Sequence, residues 1–343
     1  MSTVRVFVGI DYHDQELQVC VLDESGRVVR NCPCGNSAAA VAAMVGRQGG
    51  MVFAAIEACC GAAHLADQLT VQFGWSVDLA HPGYVRRMKQ NPDKTDYSDA
   101  RLLADLERVG YLPKVWQAPA AIRDLRDVVR YRQQLADQQR SIKLRVRALL
   151  RQHRQKPPES VNAWTKAWMG WVLKTAELPE ACRWVIAQHL AELDHVGSRK
   201  AAAEARLEQM TAGDPLVEYL TRFNGFGRLT AMVLRAELGR FDRFRTGKQL
   251  ARFCGLSPRN ASSGQKEADA GLIRASNPQL RTTMIELAHR MVRFQVRWAK
   301  MKRDLVARGK PGSVAVAAVA NRLVRWLFHQ AQAYPGADQP LAA

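Results

Sequence analysis

The sequence predicts an α/β domain with a mixed sheet, followed by a mostly helical remainder, and three observations predict it. Short β-rich runs fill much of the first 80 residues, separated by turn residues and by stretches of helical spacing. After Pro113 and Pro119 the apolar residues fall at helical spacing, from Leu125 and Val129 through Leu135, Ile142, Val146 and Leu150. Pro157, Pro158 and then Gly213-Asp214-Pro215 punctuate that helical part. A chain of 343 residues holds two or three domains with cores of their own. We expect a mixed-sheet domain over 1–115, a basic coiled-coil arm over 116–210, a mostly helical domain over 211–335 and a frayed tail over 336–343.

Residues 4–10 are valine-rich and form a central strand that closes on Asp11. Leu17, Val19 and Val21 alternate with polar neighbours, residues 23–26 make a turn and residues 27–29 extend again, so a three-stranded antiparallel meander opens the domain. Residues 37–47 read as a helix, 51–56 as a buried strand that closes on Glu57, 62–73 as a helix and 75–80 as a fifth strand. Pro92, the capping candidates Asp93 and Thr95, and the apolar Leu102, Leu103, Leu106 and Val109 mark another helix. That helix puts Asp96 and Asp99 on one face, at i and i+3.

Two carboxylates held that close repel unless a cation sits between them, and a hard divalent cation with oxygen ligands is the usual solution. Strand ends of helix-covered sheets are where ligands gather. Alone, each of Asp11, Glu57, Asp96 and Asp99 reads better as a cap or turn residue than as a ligand. Their joint placement reads as a site.

Composition narrows the function. Hydrophobic residues make up 47% and charged ones 24%, a folded rather than a disordered balance. Fifty Lys and Arg against thirty-two Asp and Glu leave +18, which calls for a polyanionic partner, most simply nucleic acid. Seven cysteines without a paired zinc spacing read as reduced thiols. The N-terminus lacks a signal-peptide pattern and no run reaches about 18 apolar residues, so a cytoplasmic protein with no membrane partner is expected.

Gly9-Ile10-Asp11 after the first strand, Ile56-Glu57-Ala58 after a later one, and Lys94-Thr95-Asp96 with Asp99-Ala100 together resemble the DEDD set of IS110-family transposases. The resemblance implies an RNase H-like (RuvC-like) first domain and Mg²⁺ or Mn²⁺ held by Asp11, Glu57, Asp96 and Asp99. It also implies double-stranded donor and target DNA as partners, a structured non-coding guide RNA encoded by the element, a homo-oligomer from dimer to tetramer, and a place at the bacterial nucleoid.

The long helix from residue 120 carries Arg126, Arg130, Lys143, Arg147 and Arg151 among other cations, and reads as a nucleic-acid contact or as a solvated coiled-coil face. Trp164, Trp168 and Trp171 follow at helical spacing and read as packing. Phe223-Asn224-Gly225-Phe226-Gly227 before an apolar helix has the shape of a helix-hairpin-helix, where Gly225 and Gly227 serve either packing or a DNA phosphate. Residues 279–305 and 313–333 read as helices.

Gly255-Leu256-Ser257-Pro258-Arg259 with Ser263-Gly264 downstream is similar to the C-terminal transposase domain of the same family. That resemblance implies Ser263 as the nucleophile toward DNA, with Ser262 as the adjacent fallback, among the cations Arg259, Lys266 and Arg274. Residues 271–278 are poorer in charge than the family's segment after the serine. The leading expectation is a DNA recombinase that forms a serine–DNA ester. The alternatives are a RuvC-like junction nuclease that uses water, and a non-catalytic nucleic-acid scaffold.

Overall fold

The computed structural model describes residues 5–46, 50–89, 95–260 and 269–341. The chain divides into two compact units, Met1–Gln117 and Ala118–Ala343.

The first unit runs β1 (Arg5–Asp11), β2 (Glu16–Leu22), β3 (Val28–Gly35), α1 (Ala38–Val45), β4 (Met51–Glu57), α2 (Ala62–Phe73), β5 (Ser76–Ala80), α3 (Pro82–Met88), α4 (Asp96–Arg108) and β6 (Lys114–Val115). Its strands form one sheet in the order β3-β2-β1-β4-β5-β6. β1, β4 and β5 are parallel, while β2, β3 and β6 run antiparallel to their neighbours. The mixed sheet is the one expected. The sequence reading lacked α3, which His81 caps by accepting from Gly83 N–H at 3.1 Å, and β6, whose two residues show no periodicity.

Side-chain alternation divides β1 between two layers. Val6, Val8 and Ile10 are buried with Val41 of α1 and Leu65 of α2. Phe7 points to the other face and packs with Ala100 and Ala104 of α4. Gly9 and Asp11 share the face of Phe7, by the same alternation. The parallel register sets Phe7 beside Phe53, Gly9 beside Ala55 and Ile10 beside Ile56, so Asp11 and Glu57 finish their strands at one level on the α4 side.

Helix α4 lies close because Gly9 has no side chain. A β-carbon there would sit inside contact range of the Ala100 carbonyl oxygen and 2.5 Å from the Ala104 nitrogen. Thr95 caps α4 by accepting from Ser98 N–H at 3.2 Å, and the buried stripe Asp99, Ala100, Leu103, Ala104 and Glu107 faces the sheet.

The second unit begins with α5 (Ala120–Gln152), α6 (Lys166–Lys174) and α7 (Glu180–Met210). α5 and α7 pack antiparallel: Arg132 bonds Glu204, and Lys200 bonds Gln139, with Ile142 and Val196 in one cluster and Val146 and Ile186 in the next. α6 caps this arm with Trp168 buried among Val146, Leu150 and Ile186. The remaining elements are α8 (Pro215–Thr221), α9 (Arg228–Leu238), α10 (Gly247–Phe253), β7 (Pro258–Asn260), β8 (Asp269–Leu272), α11 (Pro278–Phe294), α12 (Val296–Ala307) and α13 (Gly312–Gln332). Their core includes Leu125 and Val129 of α5 and Leu207 of α7, so the arm's base is continuous with it.

Three expectations change here. α5 ends at Gln152, before Pro157, because Arg154 turns to φ 53° and Gln155 N–H closes on the Leu150 carbonyl at 2.9 Å. The helix expected over 279–305 breaks at Gln295, which adopts an extended conformation, φ −129° and ψ 122°. The tail expected to fray is tied down through Leu341: Ala337 is buried, Asp338 accepts from Phe241 N–H at 2.6 Å and the Gln339 carbonyl accepts from Arg235 at 2.6 Å.

Gly9→Ala is expected to cost about 1–3 kcal/mol or more through overpacking against backbone atoms that cannot rotate away. Urea denaturation checks it, with Gly35→Ala, where an added β-carbon meets nothing within 4 Å, leaving the midpoint close to wild type.

Candidate active site

The close approach of α4 to β1 carries the helix N-terminus over the ends of β1 and β4, so Asp96 and Asp99 come to Asp11 and Glu57. Burial pushes the Asp11 carboxyl above its ordinary range, His13 opposes this, and the neighbouring Asp99, Asp96 and Glu57 push it up further. The other three carboxylates predicted from the sequence thus all lie close enough to act on Asp11.

Two basic side chains of the same unit sit against these carboxylates. Lys89, which ends α3, donates to Asp99 Oδ2 at 2.5 Å, and Asp99 is only 7% exposed. His13 stands between two others, its Nε2 3.5 Å from Asp11 Oδ2 and 3.4 Å from Asp96 Oδ2. Sequence reasoning missed both residues. His13 carried one usable signal, its place two residues beyond a strand-end aspartate, whereas Lys89 carried none, because its role depends on where α3 ends. The oxygen-rich donor set, with one carboxyl pushed above its ordinary range by burial and then by its acidic neighbours, suits a divalent cation.

The second unit treats its cations in two ways. Arg130 makes a bidentate pair with Glu237, at 3.0 and 3.2 Å, and Arg126 donates to the Ala236 carbonyl at 3.2 Å beside the same glutamate. Both arginines expected to face nucleic acid therefore have partners inside the protein, and burial lowers the pKa of Arg126. Glu237 is buried and also accepts from Asn277 at 2.6 Å. Lys143 and Arg147 lie over the Trp164 ring at 5.2 and 5.7 Å, near the arm's end, and Arg151 is exposed.

Gly225 takes φ 102° in the turn between α8 and α9, where a β-carbon would press on Met291 Sδ at 2.9 Å, and Gly227 is the N-cap of α9. The glycine at 225 is thus accounted for by the turn and its packing on α11. β7 and β8 pair antiparallel, with exposed Arg259 on β7 and exposed Arg274 just beyond β8. Gly255, at φ 71°, leaves room for Arg281, which donates to Ser276 Oγ at 2.8 Å. Ser262, Ser263 and Lys266 lie outside the described residues, as does Lys94.

Residues 8–155 match the model of the DEDD transposases of the IS110 type, and residues 217–303 match that of the transposase IS116/IS110/IS902 family. The chain belongs to the IS110-family transposases. It is similar to a probable family 20 transposase of Pseudomonas aeruginosa, 28% identical over 94% of this chain and 95% of the relative. A transposase for insertion sequence element IS1111A of Coxiella burnetii is 24% identical over 85% of this chain and 79% of the relative. The transposase for element IS1328 of Yersinia enterocolitica is 24% identical over 79% and 81%. An IS110-family transposase is a DNA-acting enzyme, so the reading as a non-catalytic scaffold falls. Its DEDD type suggests a divalent metal. Among the described residues no helix is long and apolar enough to cross a membrane.

The shift at Asp11 gives a test free of metal. A carboxyl whose pKa is raised by folding contributes stability while protonated, and that contribution is lost as pH rises through the folded pKa. Asp11→Asn is therefore expected to raise the unfolding midpoint in EDTA at neutral pH. The gain should shrink as pH falls through the raised pKa toward the ordinary aspartate value. Thermal unfolding at several pH values checks it.

Proposed function

We propose that this insertion-sequence transposase cleaves and rejoins DNA through a covalent serine–DNA ester, using an RNase H-like carboxylate site and a serine of its second unit. The observation that carries the reading is the convergence of Asp11, Glu57, Asp96 and Asp99 on one face of the sheet, beneath a helix held close by Gly9. The strand order and the strand-end positions of Asp11 and Glu57 support the RNase H-like assignment.

Asp11, Glu57, Asp96 and Asp99 would hold Mg²⁺ or Mn²⁺. When bound, such a cation neutralises charge on the phosphoryl oxygens and on the leaving oxygen. The chain's own part is positioning. β1 and β4 fix two carboxylates at one level, and α4 sets the other two against them. Ser263 Oγ, with Ser262 as the neighbouring alternative, gives up its proton and bonds to phosphorus as the phosphorus–oxygen bond to the departing strand breaks. That strand's oxygen takes up a proton. The ester retains the phosphodiester energy, so a second strand hydroxyl can displace the serine without a high-energy cofactor.

The remaining basic residues suit nucleic acid. Arg147 and Arg151 are exposed, and with Lys143 they mark the outer part of the arm for a structured guide RNA or for DNA. Arg259 and Arg274, either side of the residues that include Lys266 and the serines, suit the phosphates of the strand being cut. Separate units for carboxylates and serine suit a homo-oligomer, dimer to tetramer, in which one copy's serine works with carboxylates of its own or another chain.

A denaturing gel with peptide mapping tests the mechanism, using full-length protein, the RNA flanking its element, donor and target DNA and Mg²⁺. The expected result is an adduct mapping to Ser263 that disappears on Ser263→Ala and on Asp11→Asn. Free DNA ends that need the carboxylates but survive both Ser263→Ala and Ser262→Ala would overturn it in favour of water as the nucleophile.

The two classes of arginine also separate. Arg151→Gln should lower the slope of log binding constant against log salt by roughly one phosphate contact and leave stability unchanged. Arg130→Gln should mainly lower stability, because it breaks the pair with buried Glu237. Filter binding over a salt series, with thermal unfolding alongside, distinguishes them.

A further inference from the structure

We propose that His13 is a nitrogen ligand of the cation held by Asp11 and Asp96, and that it makes this site favour Mn²⁺ and related transition ions over Mg²⁺. The inference rests on reading the carboxylates as a cation site, and it adds a ligand that is not one of the four DEDD carboxylates.

The geometry is already that of a ligand set. Asp11, His13 and Asp96 each offer one ligand atom, and these atoms lie within 4.8 Å of one another. His13 Nε2 is 3.5 Å from Asp11 Oδ2 and 3.4 Å from Asp96 Oδ2. A cation with bonds of about 2.1 Å keeps neighbouring ligand atoms roughly 3 Å or a little more apart, so one ion fits among these three with small side-chain rotations.

The imidazole is delivered by an anchored loop. Asn36 Nδ2 donates to the His13 carbonyl at 3.0 Å and to the Asp14 carbonyl at 3.2 Å, which fixes the backbone on both sides of the ring. The His13 side chain is half exposed, so an ion reaches it from solvent. Asp99, in contrast, is held by Lys89 at 2.5 Å. Asp11 and Asp96 are thus the pair that His13 joins.

Donor chemistry then sets the preference. Mg²⁺ demands near-octahedral oxygen and gives up its water reluctantly, whereas imidazole is an ordinary ligand of first-row transition ions. Mn²⁺ is the useful probe because it accepts the same carboxylates as Mg²⁺ and its unpaired electrons report a bound nitrogen.

The test is Mn²⁺ titration of the full chain by electron paramagnetic resonance, with pulsed measurements for ¹⁴N coupling and Mg²⁺ as competitor. The expected result is coupling to one imidazole nitrogen that is lost in His13→Gln. Mn²⁺ affinity should fall about ten-fold or more with that loss, while Mg²⁺ affinity changes little. Mn²⁺ binding that depends on Asp11 but shows no ¹⁴N coupling and is unmoved by His13→Gln would overturn the role of His13 and leave the carboxylate site standing. Binding of neither ion that is sensitive to Asp11→Asn would overturn both.

Discussion

The first unit depends on one close contact, the passage of the α4 backbone over Gly9. Any side chain at that position would collide with the Ala100 carbonyl and the Ala104 nitrogen. The helix would then lift or tilt, and its first turn would move with it. Ala100 and Ala104, both fully buried, serve the same end from the helix side, since larger residues would also hold it away from the sheet. The four carboxylates are therefore placed by small residues that carry no charge and touch no substrate. The precision of the site is a property of packing one turn away from it.

Bringing like charges together costs stability, and basic side chains of the same unit are set against the carboxylates. Lys89 sits on the most buried of the carboxylates, and His13 lies between Asp11 and Asp96. The second unit uses the opposite arrangement, in which buried acids gather arginines. Glu237 collects Arg126, Arg130 and Asn277, and Asp214 pairs with Arg235 while capping α8. These pairs hold α5 to α9 and join α9 to the start of α11. Arg126, Arg130 and Arg235 are thus tied to buried acids, while the net excess of +18 is left nearly whole, because each pair takes up an acid with its base.

Much of this was legible in the sequence because it rests on period and punctuation. The strands that end on Asp11 and Glu57, the cap at Thr95 and the pair Asp96 and Asp99 follow from alternation, a capping residue and helical spacing. What was not legible depends on partners distant in the chain. Arg126 and Arg130 have the spacing of an exposed basic stripe, and only Glu237, more than a hundred residues on, gives them a partner inside the protein. The break at Gln295 leaves no glycine or proline to announce it, because α11 and α12 each bury their own face, led by Met291 and Trp298. Asp338 and Gln339 look like a loose end until Phe241 and Arg235 supply their partners.

The paired helices of the arm have a consequence of scale. A helix of 33 residues spans about 50 Å, and the antiparallel return of α7 along it, with apolar layers at Leu135, Ile142, Val146 and Leu150, gives it a stiffness that a single helix lacks. That length corresponds to about fifteen base-pair steps of duplex. The arm is therefore a rigid spacer: the twenty-five residues from Leu125 at its base to Leu150 beneath the tryptophan-capped end hold those two levels about 38 Å apart, roughly one turn of double helix.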